Sequence, residues 1–195
     1  QILSIVFASA AAEKRIWLDL CAGPGGKASL LSYLAPANFI ANEISETRAN
    51  LVHQVVKEGT SVLVNDGRDI QISADAILAD VPCTGLGALR RRPEVRWRRT
   101  PNDLPGLTKL QYELATHAIS ILPTGGIFGY ATCSPHMAET RAQCAAIEKH
   151  LPVDKLDVTR FLPENLNDAV VNGYMQLWPH RHETDAMFLA LYQKR

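Results

Sequence analysis

The stretch "IWLDLCAGPGGKASLLSYLA", residues 16–35, decides how the chain folds. Its first five residues are apolar apart from Asp19 and end in a glycine-rich turn, which reads as a short buried strand. From Gly26 onward the apolar residues fall at helical spacing. A strand, a glycine turn and a helix form the opening unit of a doubly wound α/β sheet, and the rest of the chain repeats the unit. Strand-like runs recur at "NFIANEI" (38–44), "SVLVN" (61–65), "AILAD" (76–80) and "GGIFGYATC" (125–133). Helical runs lie between or after them: "SETRANLVHQVVKEG", "DLPGLTKLQYELATHAISIL" and "MAETRAQCAAIEKHL". The alternation predicts a Rossmann-like, mostly parallel sheet with helices on both faces. It stops near residue 152, and "DAMFLALYQ" (185–193) predicts a closing antiparallel strand.

With 195 residues and 47% hydrophobic content, the chain is sized for one buried core, so 1–195 is expected to be a single domain. Cysteines stand at 21, 83, 133 and 144 without a C-x-x-C pair, which argues against a zinc site or disulfide framework and for a reducing cytoplasm. His180 and His182 in "WPHRHETD" lack a third ligand nearby, so that segment is expected to be a surface loop and no metal is expected. "QILSIVFASAAA" is too short for a membrane span, and its basic residues follow it, unlike those of a signal peptide. The absence of an initial Met suggests a fragment whose preceding domain lies outside this sequence.

In such a sheet ligands bind beyond the carboxyl ends of the strands. The groups due to converge there are Asp19 to Lys27, Glu43, Asp66, Asp80 to Cys83, and Thr132 to Ser134. Gly23, Gly25 and Ala28 satisfy G-x-G-x-x-G/A, and Glu43 follows at the distance of a ribose-binding acid. Backbone N–H groups in such a loop approach a ligand closely, and both a nicotinamide dinucleotide and S-adenosylmethionine use the device. Glu43 on the ribose hydroxyls and Asp66 on the adenine amino group together fit an adenosine. Lys27 in the first helical turn opposes the helix dipole at a cost of about 0.3–1 kcal/mol, so a ligand or an acid should offset it.

"DVPCTG" and "ATCSP" follow adjacent predicted strands, which should bring Cys83 and Cys133 to one cleft. Each is followed by a hydroxyl residue, and nearby cations favour a thiolate. Cys144, on a helix face, reads as a buried core residue, and Cys21 reads as packing within the glycine loop. Between Arg90 and Arg99 stand six arginines and one acid, Glu94, in a chain whose formal net charge is zero. That local field suits a polyanion.

"LDLCAGPGGKA", "DVPCTGLGALRRRPEVRW" and "YATCSPHMAET", in this order, resemble the Sun/Fmu family of S-adenosylmethionine-dependent RNA cytosine-5 methyltransferases, near its bacterial ribosomal RNA methyltransferase B branch. The likeness covers nearly the whole chain, and the paired Pro-Cys and Thr-Cys motifs are its specific part. It implies that Cys133 is the nucleophile, that Cys83 assists release of the methylated base, that Asp80 holds the cytosine amino edge, and that Lys27 organises the site. The cofactor pocket implied is the loop of Cys21, Ala22, Gly23, Pro24, Gly25 and Gly26, with Lys27, Glu43, Asp66 and Asp80. The partner implied is single-stranded or looped RNA, ribosomal first and transfer RNA second. Arg90, Arg91, Arg92 and Arg96 would hold its phosphates, and Trp97 would offer a stacking face.

The chain departs from the family pattern at Glu43, where Asp is more usual, at "DAMF" and at "AET", and it lacks the family's N-terminal RNA-binding region. Two other classes remain open: an NAD-linked oxidoreductase, which leaves two strand-end thiols without a purpose, and an RNA-binding protein without catalysis.

Overall fold

The computed structural model describes residues 1–195, the side chain of Glu164 excepted. The chain opens with α1 (Ile2–Ala10), β1 (Ile16–Asp19), α2 (Gly26–Leu34), β2 (Asn38–Asn42), α3 (Glu46–His53), β3 (Ser61–Leu63) and β4 (Ala76–Asp80). It continues with α4 (Val95–Arg98), α5 (Asp103–Ile121), β5 (Ile127–Thr132), α6 (Arg141–His150) and β6 (Val153–Leu156). It closes with β7 (Val170–Val171), β8 (Tyr174–Gln176), α7 (Pro179–His182) and β9 (Phe188–Lys194). The sheet order is β3-β2-β1-β4-β5-β9-β8-β7, with β6 also paired to β9. The first five strands run parallel and β9 is antiparallel to β5, as the sequence pattern predicts.

Side chains alternate across the sheet because successive residues of a strand face opposite ways. Trp17, Leu78, Ala131 and Leu191 point to one face, where α1, α2 and α3 pack. Leu18, Ile77, Tyr130 and Tyr192 point to the other, covered by α5 and α6. Each large apolar side chain removed from water in this way contributes about 1.5–3 kcal/mol.

Two elements were not legible in the sequence. The opening apolar segment forms α1, which buries Leu3, Val6 and Phe7 while Ile5 stays 45% exposed. It is apolar on nearly every side, so no helical period shows. Phe7 meets Trp17 edge-on at 5.8 Å and lies against Gly129 of β5, where a Cβ would come within 2.8 Å of its ring. The strands β6 to β8 add an antiparallel extension, but they are too short, at two to four residues, to carry a readable alternation.

"WPHRHETD" is a correction to the sequence reading. His180 is exposed as expected, but the His182 side chain is only 3% exposed. Its Nδ1 accepts the Trp178 N–H at 2.9 Å and so satisfies an otherwise orphaned donor at the start of α7.

Candidate active site

The parallel strands end on one side of the sheet, and the polar groups that follow them meet there. Gly25 holds the left-handed conformation (φ +112°) that lets the chain turn from β1 into α2, and a Cβ at that position would strike Val55 at 2.5 Å. Gly23 allows a different approach. Its N–H donates to Glu43 Oε2 at 3.0 Å, and a Cβ would lie 2.3 Å from that oxygen. Glu43 is 3% exposed, and its Oε1 accepts from the Ser45 N–H and from Arg48.

Lys27, in the first turn of α2, pairs with Asp80 at the end of β4. Asp80 is thus the acid that offsets the unfavourable position of Lys27 against the helix dipole. Burial weighs against the Lys27 ammonium, but the charge and hydrogen bond of Asp80 prevail and raise its pKa.

Cys83 follows β4 and Cys133 follows β5, and their sulfurs lie 3.3 Å apart. The pair is electrically asymmetric. The hydrogen bond shared with Cys83, reinforced by the Lys27 charge, lowers the pKa of Cys133 against the opposing effect of burial. The same contact, with burial added, pushes the Cys83 thiol up. The two shifts run in opposite directions, Cys133 down and Cys83 up.

Gly23, Glu43, Asp80, Cys83 and Cys133 line a cleft of about 460 Å³, together with Cys21, Arg92, Arg98 and Arg99, while Lys27 reaches it only through Asp80. A volume of that order suits a small-molecule ligand. A wider groove of about 610 Å³ runs between α5 and α6, but it carries none of the strand-end groups. The remaining predicted residues lie elsewhere. Asp66 does not line the cleft; both its oxygens engage Arg68, whose hydrogen bonds hold its carboxyl below the usual range. Arg91 forms a bidentate pair with Asp185 ahead of β9. Arg96 stacks over Trp97 at 5.5 Å, and Trp97 is 81% exposed. Burial pushes the Cys21 thiol well up and Cys144 up to about 12, so both favour the protonated form.

Two features of the site escaped the sequence. Arg98 and Arg99 reach the cleft, although only their membership of a basic run was readable. Glu139 is fully buried against the hydroxyls of Thr84 and Ser134. The hydroxyl residue after each cysteine was its only signal. Asp19, at the end of β1, has both carboxylate oxygens buried without a hydrogen-bond partner.

Burial, helped by the charge on Asp80, pushes the Asp19 carboxyl up to about 7. A carboxyl raised on folding favours the folded state at low pH and loses that contribution as pH climbs from about 4 to about 7. Asp19→Asn stays neutral, so it should gain on the parent across that window by on the order of a few kcal/mol. Urea unfolding at pH 4.5, 6 and 8 checks this, and a gap that does not change with pH would show that the pKa is not raised.

A parallel sheet with a glycine turn after β1, acids at its strand ends and an antiparallel β9 beside β5 has the architecture of the Rossmann-like methyltransferases. Residues 6–193 match the family described as 16S rRNA methyltransferase RsmB/F, and the chain belongs to that family. It is 50% identical over 185 residues to Rv1407 of Mycobacterium tuberculosis, whose name proposes a methyltransferase, covering 91% of this chain and 40% of that protein. It is 38% identical over 182 residues to the ribosomal RNA small subunit methyltransferase B of Sodalis glossinidius, covering 89% of this chain and 40% of that protein. Among solved structures it is similar to NSun6 from Pyrococcus horikoshii, solved with SFG, at 25% identity and a TM-score of 0.81, covering 100% of this chain and 52% of that one. The chain thus spans about two-fifths of the length of these curated relatives.

Proposed function

We propose that this chain carries the catalytic centre of an S-adenosylmethionine-dependent RNA cytosine-5 methyltransferase acting on ribosomal RNA through a covalent cysteine adduct. The observation that carries the reading is the thiol pair: two cysteines from the ends of adjacent strands, 3.3 Å apart, beside the Lys27–Asp80 pair and the glycine loop. An NAD-linked oxidoreductase working through the glycine loop offers no reason for that pair.

The residues fit the cofactor. Glu43 Oε2 receives one donor from the chain, the Gly23 N–H, and keeps an acceptor site for a ribose hydroxyl. The loop from Cys21 to Lys27 would hold the rest of the molecule, and Asp66 would reach the adenine amino group only by releasing Arg68. Bound there, S-adenosylmethionine supplies an electrophilic methyl group on a sulfonium. RNA methyltransferase relatives and a neighbour solved with an S-adenosylmethionine analogue support the same reading.

Carbon 5 of cytosine is a poor nucleophile. The Cys133 thiolate adds to carbon 6, a sulfur–carbon bond forms, and the displaced ring electrons make carbon 5 nucleophilic. Asp80, held by Lys27, accepts from the cytosine amino group and fixes the ring. After methyl transfer the carbon 5 proton passes to water, its bonding electrons restore the 5,6 double bond, and the carbon–sulfur bond breaks with its electron pair returning to Cys133 as a thiolate. Cys83, whose sulfur lies 3.3 Å from that of Cys133, is assigned to this release, its thiol hydrogen-bonding the departing thiolate. The base must leave any stack to be reached, so single-stranded or looped RNA is the substrate form. This chemistry belongs to the cytoplasm, where thiols stay reduced. Among the described residues no helix is long and apolar enough to cross a membrane, and no three His, Cys, Asp or Glu are placed to hold a metal.

The test is to incubate the chain with small-subunit ribosomal RNA and S-adenosylmethionine and to locate bisulfite-resistant cytosines. Resistance appearing only in transfer RNA would move the substrate, and none in either RNA would remove the reaction.

RNA binding should also depend strongly on salt. With Arg91 held by the buried Asp185, and Arg92 meeting Glu94 only at an exposed 3.5 Å contact that a phosphate can displace, the arginines left for phosphates are 90, 92, 96, 98 and 99. Neutralising about five phosphates gives a log K against log salt slope of roughly −3.5, and Arg90, Arg92 and Arg96 changed together to Ala should flatten it to about −1.4. Filter binding from 50 to 300 mM salt reads the slope, and an unchanged value would place the RNA elsewhere.

A further inference from the structure

Glu139 lies below the cleft and is absent from its lining, yet it joins the two loops that carry the thiols. Its Oε1 accepts from the Thr84 N–H at 2.8 Å and from Gln111 Nε2 at 3.0 Å. Its Oε2 accepts from Thr84 Oγ1 at 2.5 Å and from Ser134 Oγ at 2.6 Å. Thr84 directly follows Cys83, and Ser134 directly follows Cys133. Two further bonds extend the brace: Gln111 Nε2 also donates to Pro82 O at 2.9 Å, and Tyr130 Oη donates to Glu139 O at 2.8 Å.

We propose that Glu139 is a positioning residue for the reaction at the thiol pair, its buried carboxylate fixing the separation and aim of Cys83 and Cys133. The proposal rests on the reading of Cys133 as nucleophile. A carboxylate offers four acceptor sites and no donor, and here four donors from two loops and one helix fill them. No other side-chain chemistry balances that set. Glu139→Gln places an NH₂ group against donors in a site closed to water, so at least one loop must shift. Each anchored residue is one peptide unit from a sulfur, and a displacement on the order of 1 Å at reacting atoms costs roughly 10²-fold in rate.

The thiols serve as their own ruler. Diamide oxidises two adjacent thiols to a disulfide while its diazene takes up two protons and two electrons to become a hydrazine, and peptide mass spectrometry measures closure of Cys83 to Cys133. In Glu139→Gln closure should slow at least tenfold, kcat should fall at least tenfold, and KM for S-adenosylmethionine should stay within twofold. Glu139→Asp, which keeps the acceptors on a shorter stem, should recover part of both losses. Thr84→Val gives up one donor and should slow closure about threefold; it decides the matter alone if the Gln variant does not fold. Closure and kcat at parental rates in folded variants would overturn the proposal. Failure of the nucleophile assignment shows separately, as turnover by Cys133→Ala; Glu139 would then be a structural brace, and the positioning role would fall with that assignment.

Discussion

Cys133→Ala should abolish methyl transfer and leave no RNA attached to the protein, whereas Cys83→Ala should hold methylated RNA on the protein through denaturing electrophoresis. The two thiols touch at 3.3 Å beyond the ends of neighbouring strands, and they differ in exposure as well as in electrostatics, Cys83 being buried and Cys133 half-buried. A hydrogen bond joins the pair, and with the Lys27 charge it lowers the Cys133 pKa, whereas the same contact and burial raise that of Cys83. Without the Cys133 sulfur no carbon 6 adduct forms, carbon 5 stays unreactive, and turnover should drop by more than 10³-fold, as expected when a covalent step is lost. Without Cys83 the attack and the methyl transfer proceed and release stalls. RNA and radiolabelled S-adenosylmethionine incubated with each variant, followed by denaturing electrophoresis, read both outcomes. A labelled band from Cys133→Ala and none from Cys83→Ala would exchange the roles. No band from either, with both variants active, would end the covalent mechanism.

Gly87→Ala should destabilise the chain by about 3 kcal/mol, at the upper end of the range for overpacking, and reduce turnover roughly 10²-fold. Gly87 donates its N–H to Cys133 O and accepts from the Ala186 N–H through its own oxygen, both at 2.9 Å. A Cβ there would lie 2.1 Å from Ala186 O and 2.7 Å from Cys133 O, two backbone atoms that no rotamer change can move. Either the strand-end loop carrying the nucleophile or the segment entering β9 must shift. Gly106→Ala is the matched control: it lies in α5 with nothing within 4 Å of the added carbon, and it should stabilise by about 0.5–1 kcal/mol. Denaturant midpoints for the two variants decide the matter, and equal midpoints would mean that the Gly87 loop does not make these contacts.

The contrast between what was legible and what was not follows from contact range. β1, β4 and β5 were readable because each is an apolar run whose end is marked by a glycine, a proline or a polar cluster. The same local logic located Cys83 and Cys133 and indicated that Lys27 needed an acidic neighbour. Which acid it would be, Asp80 at a separation of 53 residues, is a property of strand order. Partnerships of that kind stayed hidden. Arg91 looked like any other member of a basic run until the fold brought Asp185 beside it, 94 residues later in the chain. Asp66 looked free to meet a ligand because nothing in its sequence position shows that Arg68 turns back on it. The α1 helix stayed hidden for a different reason: a segment apolar on nearly every side carries no phase.

The position of β9 bears on the order of events during synthesis. It is the last strand of the sheet, yet it lies inside it, pairing with β5 from Ile127 to Thr132 on one edge and with β8 and β6 on the other. Until its residues leave the ribosome, β5 presents an open edge of fully buried residues, and the Ala186–Gly87 and Asp185–Arg91 contacts just ahead of β9 lack the strand that anchors their segment. Nascent chains at that stage hold a ready template for pairing with other strands. A translation product stopped before Phe188 would accordingly be a target for chaperones and proteases, and the edge of β5 that leads to Cys133 is covered only once translation has passed that strand.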